Sequence, residues 1–158
     1  MKKYFLIIFA AFISLGASAQ KGEQNVGAHV LFGTYMSNIG FGVKYQYNVT
    51  NAIRLEGVAD YYLKTDGFSM FDININGHYL FHFNKFTVYP LVGINYTHWN
   101  WDDEPGIEGG GDGSVGFNIG GGAQYSLTEK LHVGAEIKYQ TISGLNTAII
   151  GVGVTYSL

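Results

Sequence analysis

One short stretch of the sequence carries enough carboxylates to bind a cation. Within residues 99–114, which contain no Lys or Arg, the acidic side chains are Asp102, Asp103, Glu104, Glu108 and Asp112. Carboxylate oxygens suit Ca²⁺, but the spacing of these residues does not follow the EF-hand pattern. We therefore expect a solvated, mobile, Gly-rich loop that uses no cofactor, with Trp99 and Trp101 anchoring its base.

A second group of ionisable residues occurs singly within apolar stretches. The charged members are Lys44, Arg54, Glu56, Asp60, Asp72, Glu136 and Lys138, and the histidines are His29, His78, His82 and His132. Histidines scattered in this way argue against a compact metal site. Even His78 and His82 would lie about 13 Å apart if they share one strand, so they cannot bind the same ion directly.

The N-terminus has the parts of a secretory signal peptide. Lys2 and Lys3 precede an apolar run, which ends in a small-x-small cleavage motif. A membrane-spanning helix needs about 20 apolar residues, and this run is shorter. We predict that residues 1–19 are removed and that residues 20–158 form one domain.

The composition is unusual for a soluble domain. Charged residues make up 13% of the chain and aromatic residues 16%, and 23 of the 158 residues are Gly. Typical globular proteins have about 25% charged residues, so this balance suits short strands that have one face in lipid. There is no Cys, and a net charge of −3 disfavours nucleic acid as a partner.

Apolar and polar residues alternate along the remaining chain in runs of about ten residues, the pattern of a transmembrane strand. In the clearest run, Ile39, Phe41 and Val43 share one face, whereas Lys44 and Gln46 lie on the other. The eight runs are 25–34, 39–49, 53–63, 71–82, 86–98, 115–125, 131–140 and 147–158. We predict an all-β fold, an eight-stranded antiparallel transmembrane up-and-down β-barrel.

Pro90 lies within one of these runs, although it has no N–H to donate to a sheet. The sequence leaves two explanations open. Either a bulge occurs at this position, or one carbonyl on a neighbouring strand goes unpaired.

The connections alternate in length along the chain. Short turns are expected near 50–51, 84–85 and 128–130, and longer loops at 35–38, 64–70, 99–114 and 141–146. Short periplasmic turns and longer outer loops are typical of such barrels, so we expect both termini in the periplasm.

This orientation places the aromatic residues of the apolar face in two bands, as expected for membrane interfaces. The inner band comprises Tyr45, Tyr47, Tyr79, Phe81, Phe86, Tyr125 and Tyr156, and the outer band Phe41, Tyr61, Phe71, Tyr96, Phe117 and Tyr139.

The charged residues of the second group fall on the inward face of the predicted barrel. Eight strands leave an interior just wide enough for side chains, and buried charges must pair or stay hydrated. One interpretation is a polar plug. The other is a narrow ion path in which pairs such as Arg54 with Glu56, or Lys138 with Asp60, switch. Inward glycines would leave space for water in either case.

The mature chain resembles the small outer-membrane β-barrel proteins of Gram-negative bacteria, the porin-like family that includes the OmpA and OmpX barrels. The resemblance rests on residues 86–96, on the Gly-rich hairpin 116–139 and on the alternating C-terminal strand. That strand ends in Leu158, where the family normally has an aromatic residue read by the barrel-assembly machinery. The resemblance implies an outer-membrane location, with membrane lipid, lipopolysaccharide and the export and assembly machinery as partners.

The expected function is non-enzymatic: a structural or weakly porin-like barrel with a largely plugged polar lumen. Outer-membrane lipid A deacylases of similar size carry a His-x-Ser pair, and no His of this chain has Ser two positions later. A surface adhesin acting through the outer loops is the alternative. A lipocalin-like carrier would need its apolar face inside.

Overall fold

The computed structural model describes residues 21–34, 37–106, 108–142 and 144–158. These residues form one antiparallel sheet that closes on itself, so the predicted fold class is confirmed. The strands follow one another around the sheet, and closure comes from the pairing of β1 with β9 and of β4 with β6. The predicted signal peptide, residues 1–19, lies outside the described residues.

The strands are β1 (Gln24–Gly33), β2 (Asn38–Asn48), β3 (Ile53–Thr65), β4 (Phe68–Tyr79), β5 (Phe81–Phe83), β6 (Phe86–Trp101), β7 (Gly110–Ser126), β8 (Leu131–Ile142) and β9 (Leu145–Ser157). Because β5 continues β4 along β6, the nine segments form a barrel of eight strands. We call the end that carries Gln24 and Ser157 the terminal rim, and the opposite end the distal rim.

The two-residue alternation of the sequence is the alternation of lipid-facing and interior side chains. Val43 is 62% exposed and Ile119 is 61% exposed, whereas Asn74 and Asp60 are fully buried. Successive side chains of a strand point to opposite faces, so the apolar half of each strand covers the outside of the barrel. The predicted assignment of the two faces is therefore correct.

Aromatic side chains on the outside form two bands. Phe41, Tyr61 and Phe71 are consecutive cross-strand partners towards the distal rim. Phe86 faces Tyr125 near the terminal rim, with ring centroids 6.3 Å apart. These bands match those predicted from the sequence.

The predicted difference in length between the two sets of connections is largely wrong. At the distal rim only 102–109 is long, and β3 and β4 are joined by Asp66 and Gly67 alone. Both residues have positive φ, 51° and 82°, as a type I′ hairpin turn requires. The Asp-Gly pair was visible in the sequence and marks this turn. The strands flanking the predicted loops therefore extend farther than alternation alone suggested.

The predicted run 71–82 is interrupted at Leu80, next to Tyr79, which the register places opposite Pro90. The register of β6 against β4 and against β5 is the same on both sides of this gap, so no bulge occurs there. Pro90 cannot donate, and the ladder lacks its rungs at this point. The Leu80 N–H donates to the Ala52 carbonyl, at 2.7 Å, which continues the register of β3 against β4. Successive residues of a strand bond to opposite neighbours, so Tyr79 faces Pro90 and its carbonyl receives no N–H from that residue. The register excludes a bulge, which leaves the unpaired carbonyl as the explanation.

Small apolar clusters lie inside the barrel towards each rim. Leu31, Tyr62 and Ile149 form the distal cluster, with Met70 packed against them. Leu80, Tyr89 and Leu91 form the terminal one. Polar side chains fill the interior between these clusters.

The expectation that inward glycines leave room for water is wrong at several positions. A Cβ at Gly122 would lie 2.5 Å from the Tyr89 ring, and one at Gly42 would overlap the Asp60 carboxylate. Side chains from neighbouring strands therefore occupy the space above these glycines.

We predict that Gly120→Ala destabilises the barrel. The new Cβ would lie 2.6 Å from the Lys138 Cα and would overlap the Ile137 carbonyl, and both of these atoms belong to the backbone. Overpacking of this kind costs about 1–3 kcal/mol, measurable by urea unfolding in lipid vesicles. The control Gly57→Ala meets open space and should change the free energy of unfolding by less than about 0.5 kcal/mol. Equal stabilities of the two variants would contradict this account.

Candidate functional site

The candidate site is the polar interior, where side chains from all eight barrel strands meet. The structure directs all seven charged residues of the second sequence group into this space, and Glu56, Asp60 and Asp72 are at most 1% exposed. Unpaired charges in such surroundings are costly. The partners of each charge therefore decide what the interior can do.

The central cluster is built around Glu56 of β3. The Lys44 ammonium lies 3.2 Å from one oxygen of Glu56 and 3.7 Å from Glu136 on β8. Gln46 donates to Glu56 at 2.7 Å, and Asn76 donates to its other oxygen at 3.2 Å. Lys44 thereby bridges two carboxylates from opposite parts of the barrel wall.

Tyr89 and His78 complete this cluster. The Tyr89 hydroxyl donates to Glu136 at 3.0 Å, and its ring stacks on His78 with centroids 4.4 Å apart. The His78 Nε2 lies 3.5 Å from Glu56, which is longer than an ordinary hydrogen bond. Neither ring nitrogen of His78 has a hydrogen-bond partner among the described residues.

A second cluster lies nearer the distal rim. Asp60 is 2.6 Å from the His29 Nε2 and 3.7 Å from the Lys138 ammonium. Asp72 faces Asp60 across the ladder and accepts a hydrogen bond from Gln140 at 3.0 Å. Two neighbouring carboxylates thus depend on one Lys and one His for neutralisation.

The predicted pair of Lys138 with Asp60 is present, whereas that of Arg54 with Glu56 is wrong. Arg54 donates instead to Asn48 at 3.0 Å and to Gln124 at 3.1 Å. Asn48 is the cross-strand partner of Arg54 in the sheet register. Directly opposite residues have Cβ atoms about 5 Å apart, whereas residues two apart on one strand are separated by about 7 Å. Asn48, the cross-strand neighbour, is therefore closer to Arg54 than Glu56 on its own strand is.

Neutral amides, which are not among the candidate residues predicted from the sequence, link the two charged clusters. Asn118 donates to Asn74 at 2.8 Å and to Asn76 at 3.0 Å, and it accepts from Asn95 at 2.8 Å. Their inward positions in the alternating runs were the available signal. An amide both donates and accepts, so these residues can join carboxylates to ammonium groups through several strands.

The acidic residues of the first sequence group lie apart from this interior. Trp101 of β6 pairs with Gly110 of β7, so the predicted loop 99–114 is a β-hairpin closed by residues 102–109. It protrudes past the end of β8, whereas β6 stays paired with β4 as far as Trp101. The Trp101 indole donates to the Glu108 carbonyl at 3.2 Å, and Asp102 forms an ion pair with Lys64. Carboxylates of this hairpin are exposed to solvent.

Within the described residues, one group offers three metal-ligating side chains. Ligand atoms of Glu56, His78 and Glu136 lie within 4.8 Å of one another. The spacing of the histidines in the sequence gives no sign of this group, because two of its members are carboxylates. Carboxylates on β3 and β8 meet His78 of β4 only because the sheet closes.

Comparisons with known proteins agree with this architecture. A family model described as the outer membrane protein beta-barrel domain matches residues 7–157. None of the curated protein sequences matches the chain. No helix among the described residues is long and apolar enough to cross a membrane.

Solved structures provide three similar barrels. The N-terminal barrel domain of OprF from Pseudomonas aeruginosa has a TM-score of 0.70 at 18% identity, covering 87% of this chain and 98% of that one. Neisserial surface protein A (NspA) has a TM-score of 0.68 at 15% identity, covering 85% and 95%. Ail, the attachment invasion locus protein of Yersinia pestis, has a TM-score of 0.64 at 15% identity, covering 88% and 100%.

We predict that Glu56→Gln destabilises the barrel far more than the loss of a surface ion pair. The substitution removes a buried carboxylate that faces Lys44, and breaking a buried pair costs about 3–5 kcal/mol. Lys64→Gln, which removes a pair whose side chains are each 53% exposed, should cost less than about 1 kcal/mol. Urea unfolding in vesicles measures both, and similar costs would contradict the assigned role of Glu56.

Proposed function

The chain belongs to the outer-membrane protein β-barrel family, and we propose that it acts in that membrane as a closed, non-enzymatic barrel. In this proposal its interior is a polar plug that makes the wall rigid and denies passage to solutes. The observation that carries the proposal is a set of hydrogen bonds and ion pairs between strands that are not neighbours. Such contacts cross the lumen instead of lining it.

Three of these contacts illustrate the plug. Lys138 of β8 reaches Asp60 on β3, on the opposite wall. Gln140, also on β8, donates to Asp72 on β4. The bond between Arg54 and Gln124 joins β3 to β7. Each contact occupies space that an open path would need.

The remaining space is divided unevenly. A cavity of about 40 Å³ lies beside Lys44 and Glu136, enough for about one or two water molecules. A larger vestibule of about 550 Å³ opens at the terminal rim and reaches inwards as far as Arg54 and Gln124. Because these two side chains are hydrogen-bonded to each other, the vestibule would be closed at its inner end.

The same proposal covers orientation and partners. Short connections at 84–85 and 127–130 would face the periplasm together with both termini, and the long hairpin would face outwards. The exposed apolar bands would contact lipid and lipopolysaccharide, and β9 would be the strand read by the assembly machinery. A lipocalin-like role is disfavoured because the interior is polar.

We expect mature protein refolded into planar bilayers to give no steady conductance steps. The double variant Lys44→Ala/Tyr89→Ala removes two side chains that line the small cavity, and its occasional small steps would show that the method detects a thinned plug. Circular dichroism before insertion confirms that each protein is folded. Discrete, reproducible steps from the unmodified protein would overturn the plug and favour the narrow ion path instead.

A second candidate, surface binding, is favoured by the protruding hairpin. The edge of β7 before Gly116 has no partner on β8 among the described residues, and the hairpin carries the five acidic residues of the first sequence group. Ail has also been solved with the heparin analogue sucrose octasulfate. A polyanion of that kind would be repelled by these carboxylates, so a binding role here calls for a cationic partner surface.

The adhesin candidate predicts that adherence depends on the hairpin tip. Replacing residues 102–109 with Asn-Gly keeps the last rung, Trp101 with Gly110, and removes most of the acidic side chains. Zwitterionic lipid vesicles that carry this variant should adhere to polylysine-coated beads no better than vesicles without the barrel. A matched variant that only neutralises Asp102, Asp103 and Glu104 tests the charge separately. Adherence that survives loss of the tip would rule this candidate out.

A further inference from the structure

We infer that the central cluster is a binding site for a divalent transition metal, with Glu56, His78 and Glu136 as its protein ligands. The inference does not depend on whether the lumen conducts. It rests on the geometry of three side chains that come from β3, β4 and β8, and on the polar groups that hold them.

Each proposed ligand has a chemistry that suits Zn²⁺. The metal binds neutral imidazole nitrogen and carboxylate oxygen at about 2.1 Å, which separates two ligand atoms of a tetrahedral site by about 3.4 Å. The His78 Nε2 lies 3.5 Å from a Glu56 oxygen, and all three ligand atoms fall within 4.8 Å. Shortening these separations by up to about 1.4 Å therefore completes the set. An imidazole ligand favours a transition metal over Ca²⁺ or Mg²⁺.

His78 supplies an independent indication. It is 2% exposed, and neither ring nitrogen has a hydrogen-bond partner among the described residues. A buried polar group without a partner costs about 1–3 kcal/mol. A metal bound at Nε2 would satisfy the nitrogen that points at the two carboxylates.

The ligands are held in place by further side chains, as they are in established metal sites. Gln46 and Asn76 donate to the two oxygens of Glu56. Tyr89 donates to Glu136 and stacks on His78. The adjoining cavity of about 40 Å³ has room for a water molecule as the fourth ligand.

Lys44 is the competitor for this position. Its ammonium lies 3.2 Å from Glu56 and 3.7 Å from Glu136, so it bridges the carboxylates that a metal would bridge. Two carboxylates balance the charge of one divalent ion, so the ammonium must leave them, and it can then occupy the cavity that it already lines in place of the water molecule. Metal and Lys44 therefore exchange, and removal of Lys44 strengthens metal binding.

The test uses untagged mature protein, refolded in detergent and freed of metal with a chelator. Zn²⁺ is added, unbound metal is removed by gel filtration, and the metal content and thermal unfolding are measured. We expect one Zn²⁺ per chain and a higher unfolding temperature. Co²⁺ in place of Zn²⁺ should give visible absorption bands that report the imidazole ligand.

Four variants make the test specific. His78→Gln should weaken Zn²⁺ binding by at least about 100-fold, more than the loss of an outer group that orients a ligand, and Glu136→Gln should also weaken it. Lys44→Gln should tighten it. His98→Gln removes a histidine of β6 whose side chain is hydrogen-bonded to Asn100 in the same strand, and should leave binding unchanged.

Circular dichroism identifies variants that fail to fold, and binding by the folded variants decides the outcome. The inference is overturned if folded unmodified protein retains no Zn²⁺, even if Lys44→Gln does. It is also overturned if His78→Gln binds as tightly as the unmodified protein.

Discussion

Hydrocarbon offers no partner to a backbone N–H or C=O group, so a sheet that crosses a membrane must close on itself. In this protein closure depends on two seams, β1 with β9 and β4 with β6. The other features follow from it, because a closed sheet has an inside and an outside, and each strand must serve both. Pro90 shows how strict the constraint is. Pro90 supplies no N–H to Tyr79 opposite it, and the register continues unchanged on both sides of this gap.

A barrel closed with eight strands has an interior that side chains fill, and here most of those side chains are polar. The free energy of such an interior depends on complete pairing, because each isolated charge would bear a large desolvation cost. Amides from Asn74, Asn76 and Asn118 distribute hydrogen bonds between the two charged clusters. Glycines leave the space that these clusters need, because a Cβ at Gly42 or Gly122 would collide with the side chains that form the clusters. The interior is therefore one connected structure, in which small changes in volume or charge are felt widely.

The outer surface and the hairpin follow different rules. Outside, apolar and aromatic residues need only match the depth of the membrane. At the distal rim, β7 continues beyond β8, and the connection between β6 and β7 presents acidic groups to solvent. Like-signed charges of this kind repel one another less in water than they would in the lumen. The paired charges of the interior and the solvated charges of the hairpin thus occupy surroundings of different polarity.

The sequence by itself determined the strand pattern, the two faces and the membrane class, because alternation with a period of two is a local property of each strand. It also placed Lys44, Glu56 and Lys138 on the inward face. Tertiary structure alone decided the partners: that Arg54 bonds to Gln124, and that His78 meets Glu56 and Glu136. Those contacts depend on the stagger between strands and on which walls face each other after closure. The alternation of a single strand determines neither the stagger nor the facing walls. The same inward residues could therefore have paired differently.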